Sequence, residues 1–143
     1  LTSLFLVVTI EPTTSKGGKM EKQKAVIITT DGDKSVVEFD FGKSYQLLSD
    51  AVGGMIECVG LEGADLWCNE NGIAEGLPLN MIASAIYSDA FNASNPILGN
   101  VIITGSCDDE GETLGLTDEQ VAYWLNYDKK VIPASFLLSG MYI

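Results

Sequence analysis

Residues 24–40 read KAVIITTDGDKSVVEFD, two β-rich runs set around Asp31-Gly32-Asp33. Val, Ile and Phe at this density favour extended backbone, and Asp-Gly between two apolar runs is a strong hairpin signal. The same pattern returns at MIECVGL (55–61) and ADLWCN (64–69), which flank Glu62-Gly63 and predict a second hairpin. VIITG (101–105) reads as one further strand.

Helical spacing fills the intervals. Ser44 is placed to cap YQLLSDAV, where Leu47, Leu48, Ala51 and Val52 repeat with helical period before Gly53 and Gly54 end the run. A second helix is expected over about 79–87, with Ile82, Ala83 and Ile86 on one face. Residues 92–100, with Pro96 and Gly99, read as a loop. LTDEQVAYWL then opens a third helix with a capping box, Thr117 as N-cap and Gln120 at N3, and with Leu116 placed to staple against Val121. Asp118 and Glu119 suit the positive end of that helix. The expected fold is therefore α+β: a single domain over 20–128, with a mixed or antiparallel sheet of about five strands built from hairpins and about three short helices.

The flanks read differently. LTSLFLVVTI lacks a basic leader, runs into Glu11-Pro12 and is too short to span a bilayer. Ser-Lys-Gly-Gly-Lys before Met20 can be encoded by a purine-rich ribosome-binding sequence, so translation is expected to begin at Met20, with 1–19 an upstream extension. At the other end, VIPASFLLSGMYI (131–143) is apolar enough to dock on the core, as an added strand or an oligomer contact; whether the chain is monomeric or homo-oligomeric is left open.

The polar inventory excludes several chemistries. There is no His, and all eight cations are Lys. The chain thus lacks the usual general base and neutral metal ligand near pH 7, and it lacks the planar fork that grips phosphates bidentately. Histidine-based triads, zincin sites and arginine clamps are ruled out. Cys58, Cys68 and Cys107 are odd in number and form no CxxC, which argues against a secreted disulfide framework and for the cytosol. Cys58 and Cys68 are expected near one another across the second hairpin, as small buried hydrophobes and not as zinc ligands. No cofactor is expected.

Charge is distributed unevenly. Between Lys43 and Lys129 lie 85 residues without a cation but with fourteen acids, against a net charge of −12 for the whole chain. Such a field repels nucleic acid and anionic membranes and attracts cations or basic protein surfaces. Within it, Asp108, Asp109, Glu110 and Glu112 form the densest cluster. An EF-hand centred on Gly111 would need acids at Ser106 and Thr117, and one centred on Gly72 would start at Trp67; both fail.

Residues 68–80, CNENGIAEGLPLN, admit two readings. As a turn and helix start, Asn71-Gly72 supplies a positive φ, Gly76 permits close backbone approach, and Pro78 with Asn80 begins and caps the helix. As a site, Asn69, Glu70 and Asn80 converge beside a helix N-terminus to hold a small polar or anionic ligand.

The order GGMIECVGLEG, CNENGIAEGLPLNMIASAIY, ILGNVIITG and GLTDEQ resembles the domain of unknown function 3846 family, small proteins of phages, other mobile elements and bacteria. The resemblance covers about 24–127, and its most specific part is Asn69, Glu70, Gly72, Gly76, Leu77, Pro78 and Asn80. In that family a basic residue often follows the pattern; Met81 and Ile82 stand there in this chain, so an anion contact from that position does not carry over. The resemblance implies a phage or mobile-element accessory protein and supplies no activity.

The leading expectation is a protein that binds a host protein with a basic surface through its acidic face, in a sharper form by imitating the phosphate array of DNA. The alternative is a small polar ligand or nucleotide binder built on 69–80. An enzyme ranks last, because no base partners Cys68 or Cys107. Direct nucleic-acid binding and membrane binding are not expected.

Overall fold

A computed structural model describes residues 22–127. The expectations for residues 1–19 and for 129–143 lie outside the described residues. The described chain forms β1 (Lys22–Ile28), β2 (Lys34–Asp40), α1 (Ser44–Val52), β3 (Ile56–Leu61), β4 (Ala64–Asn69), α2 (Met81–Phe91), β5 (Val101–Gly105) and α3 (Asp118–Leu125). This is an α+β fold: every pairing in its five-stranded sheet is antiparallel, in the order β2-β1-β5-β4-β3.

Both hairpins form where the Asp-Gly and Glu-Gly turns place them. Gly32 and Gly63 adopt φ of 92° and 78°, values that an L side chain resists. The two hairpins do not pair with each other. The last strand, β5, inserts between β1 and β4, with Val26 opposite Ile103 and Leu66 also opposite Ile103. All five of its residues are buried, as a continuous apolar run requires, since both its faces must be covered.

Alternation along the strands divides two layers of core. One face sets Ala25, Phe39 and Ile102 against Leu48 and Val52 of α1. The other sets Val26, Ile28, Leu66 and Ile103 against Ile82 and Ile86 of α2 and Trp124 of α3. Fully burying one such aliphatic side chain contributes roughly 2 kcal/mol.

Local expectations are adjusted at three helix termini. Ser44 is the first residue of α1 and not its cap; Lys43 holds the cap position without a side-chain hydrogen bond. The C-terminal Gly53 is left-handed at φ 80°, as expected. Helix α2 starts two residues later than the apolar spacing predicts and continues through Phe91, because the left-handed stop is Asn92, at φ 53°. The capping box of α3 is complete: Thr117 Oγ1 accepts from the Gln120 amide, and Gln120 Oε1 accepts from the Thr117 amide. Leu116 and Val121 join the same core cluster.

Two glycines position everything that follows β5. A Cβ on Gly105 would lie 2.4 Å from the Gly115 carbonyl oxygen, and one on Gly115 would lie 2.5 Å from the Lys24 amide nitrogen. Their bare backbones let residues 114–116 cross the ends of β1 and β5, where the Leu116 amide donates to the Lys24 carbonyl. That crossing delivers α3 to its face of the sheet.

Candidate functional site

The roles expected within 68–80 are distributed differently among its residues. Gly72 does not have a positive φ; it is the close-approach glycine, where a Cβ would stand 3.2 Å from Leu98 Cβ. Gly76 carries the positive φ, 68°, and faces open space. The two glycines therefore exchange the roles expected of them, because the close approach is made to a loop 26 positions away and not within the turn.

Asn80 is 0% exposed and uses every polar atom of its side chain. Its Oδ1 accepts from the Ala83 amide as N-cap of α2, and its Nδ2 donates to the carbonyls of Ile28 and Gly99. Asn69 is also buried. Its Oδ1 accepts from the Asn71 amide, while Nδ2 donates to the Val52 carbonyl and to Glu75 Oε1. Glu70 is exposed and is held through its backbone amide, which donates to the Met55 carbonyl. The adjoining cleft, about 310 Å³, is lined by Thr30, Asp50, Gly53, Leu77, Pro78 and Asn100. Asn69, Glu70 and Asn80 are not among its walls.

The acidic connector lies at the opposite end of the sheet, beyond the last residue of β5. A backbone bridge between Cys107 and Thr113 closes it into a tight loop. Asp108 organises that loop: its Oδ1 accepts from the amides of Glu110 and Glu112. Asp109 and Glu110 project into solvent, and Glu112 is partly covered.

Tertiary structure brings other acids to the same end. Ala64 pairs with Gly105, which places Glu62 of the second hairpin turn beside the connector. Gln120 Nε2 donates to the Gly63 carbonyl, which anchors the start of α3, with Asp118 and Glu119, against that turn. Segments 62–65, 108–112 and 118–119 thus gather eight acids. Among the described residues only Asp118 of this group is ion-paired, to Lys24 at 3.0 Å; Lys22 at the nearby start of β1 is paired with Asp40 at 2.8 Å.

One of those acids is sheltered. Asp65 lies on the face that α1 covers, and burial raises its carboxyl above the ordinary range while hydrogen bonds from the Cys58 and Cys107 thiols oppose the shift. Cys107 Sγ lies 3.9 Å from Asp65 Oδ2. Cys58 is open along the edge strand, yet partial burial, with Asp65 and Cys107 beside it, pushes its thiol up to about 11. Burial likewise pushes the Cys68 thiol to about 11. Cys58 pairs with Trp67 and Cys68 with Glu57, so the two sulfurs point to opposite faces of the sheet. The expected neighbour of Cys58 is replaced by Cys107, which arrives on the connector that follows β5. Thiols raised in this way are weak nucleophiles. Among the described residues no group of three or more Cys, Asp or Glu is arranged to hold a metal ion.

A second cleft, about 540 Å³, runs beside this acidic end between the C-terminal half of α2, the exposed side of α3 and the edge strand β3. Leu61, Phe91, Tyr123 and Trp124 supply its apolar walls, and Glu62, Asp89 and Glu119 its charged rim. The Tyr127 hydroxyl donates to Asp89 Oδ2 at one end. Burial, followed by that carboxylate, raises the Tyr127 phenol well above its ordinary range. Sequence reading passes over this cleft. Its one available signal is Tyr123, which falls off the apolar stripe of Val121, Trp124 and Leu125.

No described helix is long and apolar enough to cross a membrane. The family model described as domain of unknown function (DUF3846) matches residues 22–129. No curated protein and no solved structure matches the chain.

Proposed function

The chain belongs to the DUF3846 family, and from that premise we propose that it is a binding protein whose acidic sheet end engages a basic surface on a partner protein. The observation that carries this reading is the convergence of acids separated by up to 57 positions, with one ion pair among the eight within the described residues. Clustered carboxylates with few internal cations leave a field that recruits Lys and Arg from outside. In the phage or mobile-element setting that the family resemblance implies, the partner is a host protein in the bacterial cytoplasm, and competition by duplex DNA for that partner tests the DNA-mimic form.

A small-ligand role for 69–80 has less support. The Asn69 and Asn80 side chains already satisfy the surrounding backbone, and Glu70 alone points outward. An enzymatic role has less still, since the thiols are pushed away from the thiolate form.

The test is affinity capture from host lysate with the full chain and two double variants. Asp108 stays untouched, because reversing it would unmake the connector loop. Asp109→Lys with Glu110→Lys should abolish capture, whereas Asp31→Lys with Glu70→Lys, at the opposite end, should preserve it. Captured protein should elute as salt approaches 0.5 M, where the Debye length falls to roughly 4 Å. A partner retained by the first variant and resistant to that salt would sink the acidic-end reading.

A further inference from the structure

The groove beside the acidic end has the composition of a peptide site. Phe91 is 45% exposed and Tyr123 59% exposed, so two large rings on facing helices stay partly in water although both helices pack on the same core. Phe91 is backed by Tyr87 at a ring separation of 4.6 Å, and Tyr123 by Trp124 at 4.7 Å. Rings supported in this way present a rigid apolar surface at low entropic cost. The floor beside them is Leu61, at the end of β3, which is an edge of the sheet with β4 as its one strand partner among the described residues.

The rim states what sort of occupant fits. Glu62, Asp89 and Glu119 border the apolar walls, and among the described residues no Lys lines the groove. An apolar side chain entering between Phe91 and Tyr123 would have its flanking residues beside carboxylates. Lys or Arg at those flanks is favoured there, and Asp or Glu is repelled.

We propose that this groove is a docking site for a short segment of a partner protein that carries an aliphatic or aromatic anchor flanked by Lys or Arg. The assignment rests on the acidic-end reading and makes it specific: the sheet end attracts the basic partner, and the groove reads an anchor residue within it. Tyr123 and Phe91 are the anchor contacts; Glu62 and Glu119 select the flanks.

A displayed library of random peptides selected against the full chain tests this directly, with amide chemical shifts mapping the site. Enriched peptides should pair Leu, Ile or Phe with flanking Lys or Arg, and should shift the amides of Leu61, Phe91 and Tyr123. Tyr123→Ser and Phe91→Ser should each weaken them about tenfold, as loss of a central aromatic contact does. Both positions are exposed enough for the variants to fold, which their unchanged spectra elsewhere would verify. Absence of enrichment overturns the groove. So do basic peptides that lack an apolar residue and ignore both substitutions, a result that leaves the acidic end standing. Anchored peptides that respond to Tyr123→Ser but not to Asp109→Lys with Glu110→Lys support the groove while removing the wider acidic surface. Shifts in 129–143 on peptide addition would identify displacement of the chain's own C-terminal segment and overturn the foreign occupant.

Discussion

Asp65 sits on the α1-covered face of the sheet with the Cys58 and Cys107 thiols donating to it and Thr104 opposite it in register. Its folded carboxyl titrates above its ordinary value, chiefly through burial. The unfolded chain therefore gives up this proton at lower pH than the folded one, and the group penalises folding as pH rises, fully so above the folded value. Asp65→Asn keeps an acceptor for the thiols and removes that charge. The variant should be more stable than the parent at pH 7, and the gap should close towards pH 3, as urea midpoints at the two pH values would reveal. An equal gap at both would show that shape and not charge decides. Alkylation of Cys58 should also quicken in the variant, since a neighbouring negative charge helps hold its thiol near 11. Nothing in the sequence marks Asp65 among fourteen acids; its partners come from β3 and from the far end of β5.

At the scale of elements, the Asn80 side chain adds hydrogen bonds to the apolar packing of α2 on the sheet. Asn80 caps the helix and at the same time ties it to the ends of β1 and of the 92–100 loop. Asn80→Ala removes the cap and strands two buried carbonyls, at a combined cost of about 3 kcal/mol in chemical denaturation. A loss below about 0.5 kcal/mol, the size typical of surface positions, would show that this side chain is not structural and would revive its role in holding a ligand. The cap itself is legible in the sequence, since Asn before an apolar run is a helix-start signal. The other two bonds are not, because Ile28 is 52 positions away and the 92–100 loop carries no pattern that places it.

For the whole molecule, the decisive feature is the concentration of like charge at one end of the sheet. Eight acids there, with a single ion pair among the described residues, repel one another, which works against the compact state and is relieved by screening. The melting temperature should accordingly rise as NaCl increases from about 0.05 to about 0.5 M, because the Debye length shortens several-fold over that range. Asp109→Lys with Glu110→Lys should flatten the rise. A melting temperature that falls with salt in the parent chain would mean that the internal ion pairs outweigh the repulsion.

Local chemistry determined the elements. Asp-Gly and Glu-Gly between β-rich runs turn the two hairpins, Thr117 with Gln120 satisfies a helix start unaided, and Gly53 ends α1, because each of these acts within a few residues along the chain. The same information bounds the chemistry, since a chain without His or Arg cannot form sites that need them. Tertiary structure alone decided where the elements went. VIITG is legible as a strand, but its place between the two hairpins follows from the need to pair both its edges, which β1 and β4 do, and to cover both its faces, which the two helical layers do. From that insertion came the rest: the connector carried to the end of the sheet where Glu62 and α3 meet it, Cys107 brought to Asp65, and a groove left open between α2 and α3. Each is a contact between segments distant in sequence, and such contacts are set by packing and not by neighbours along the chain.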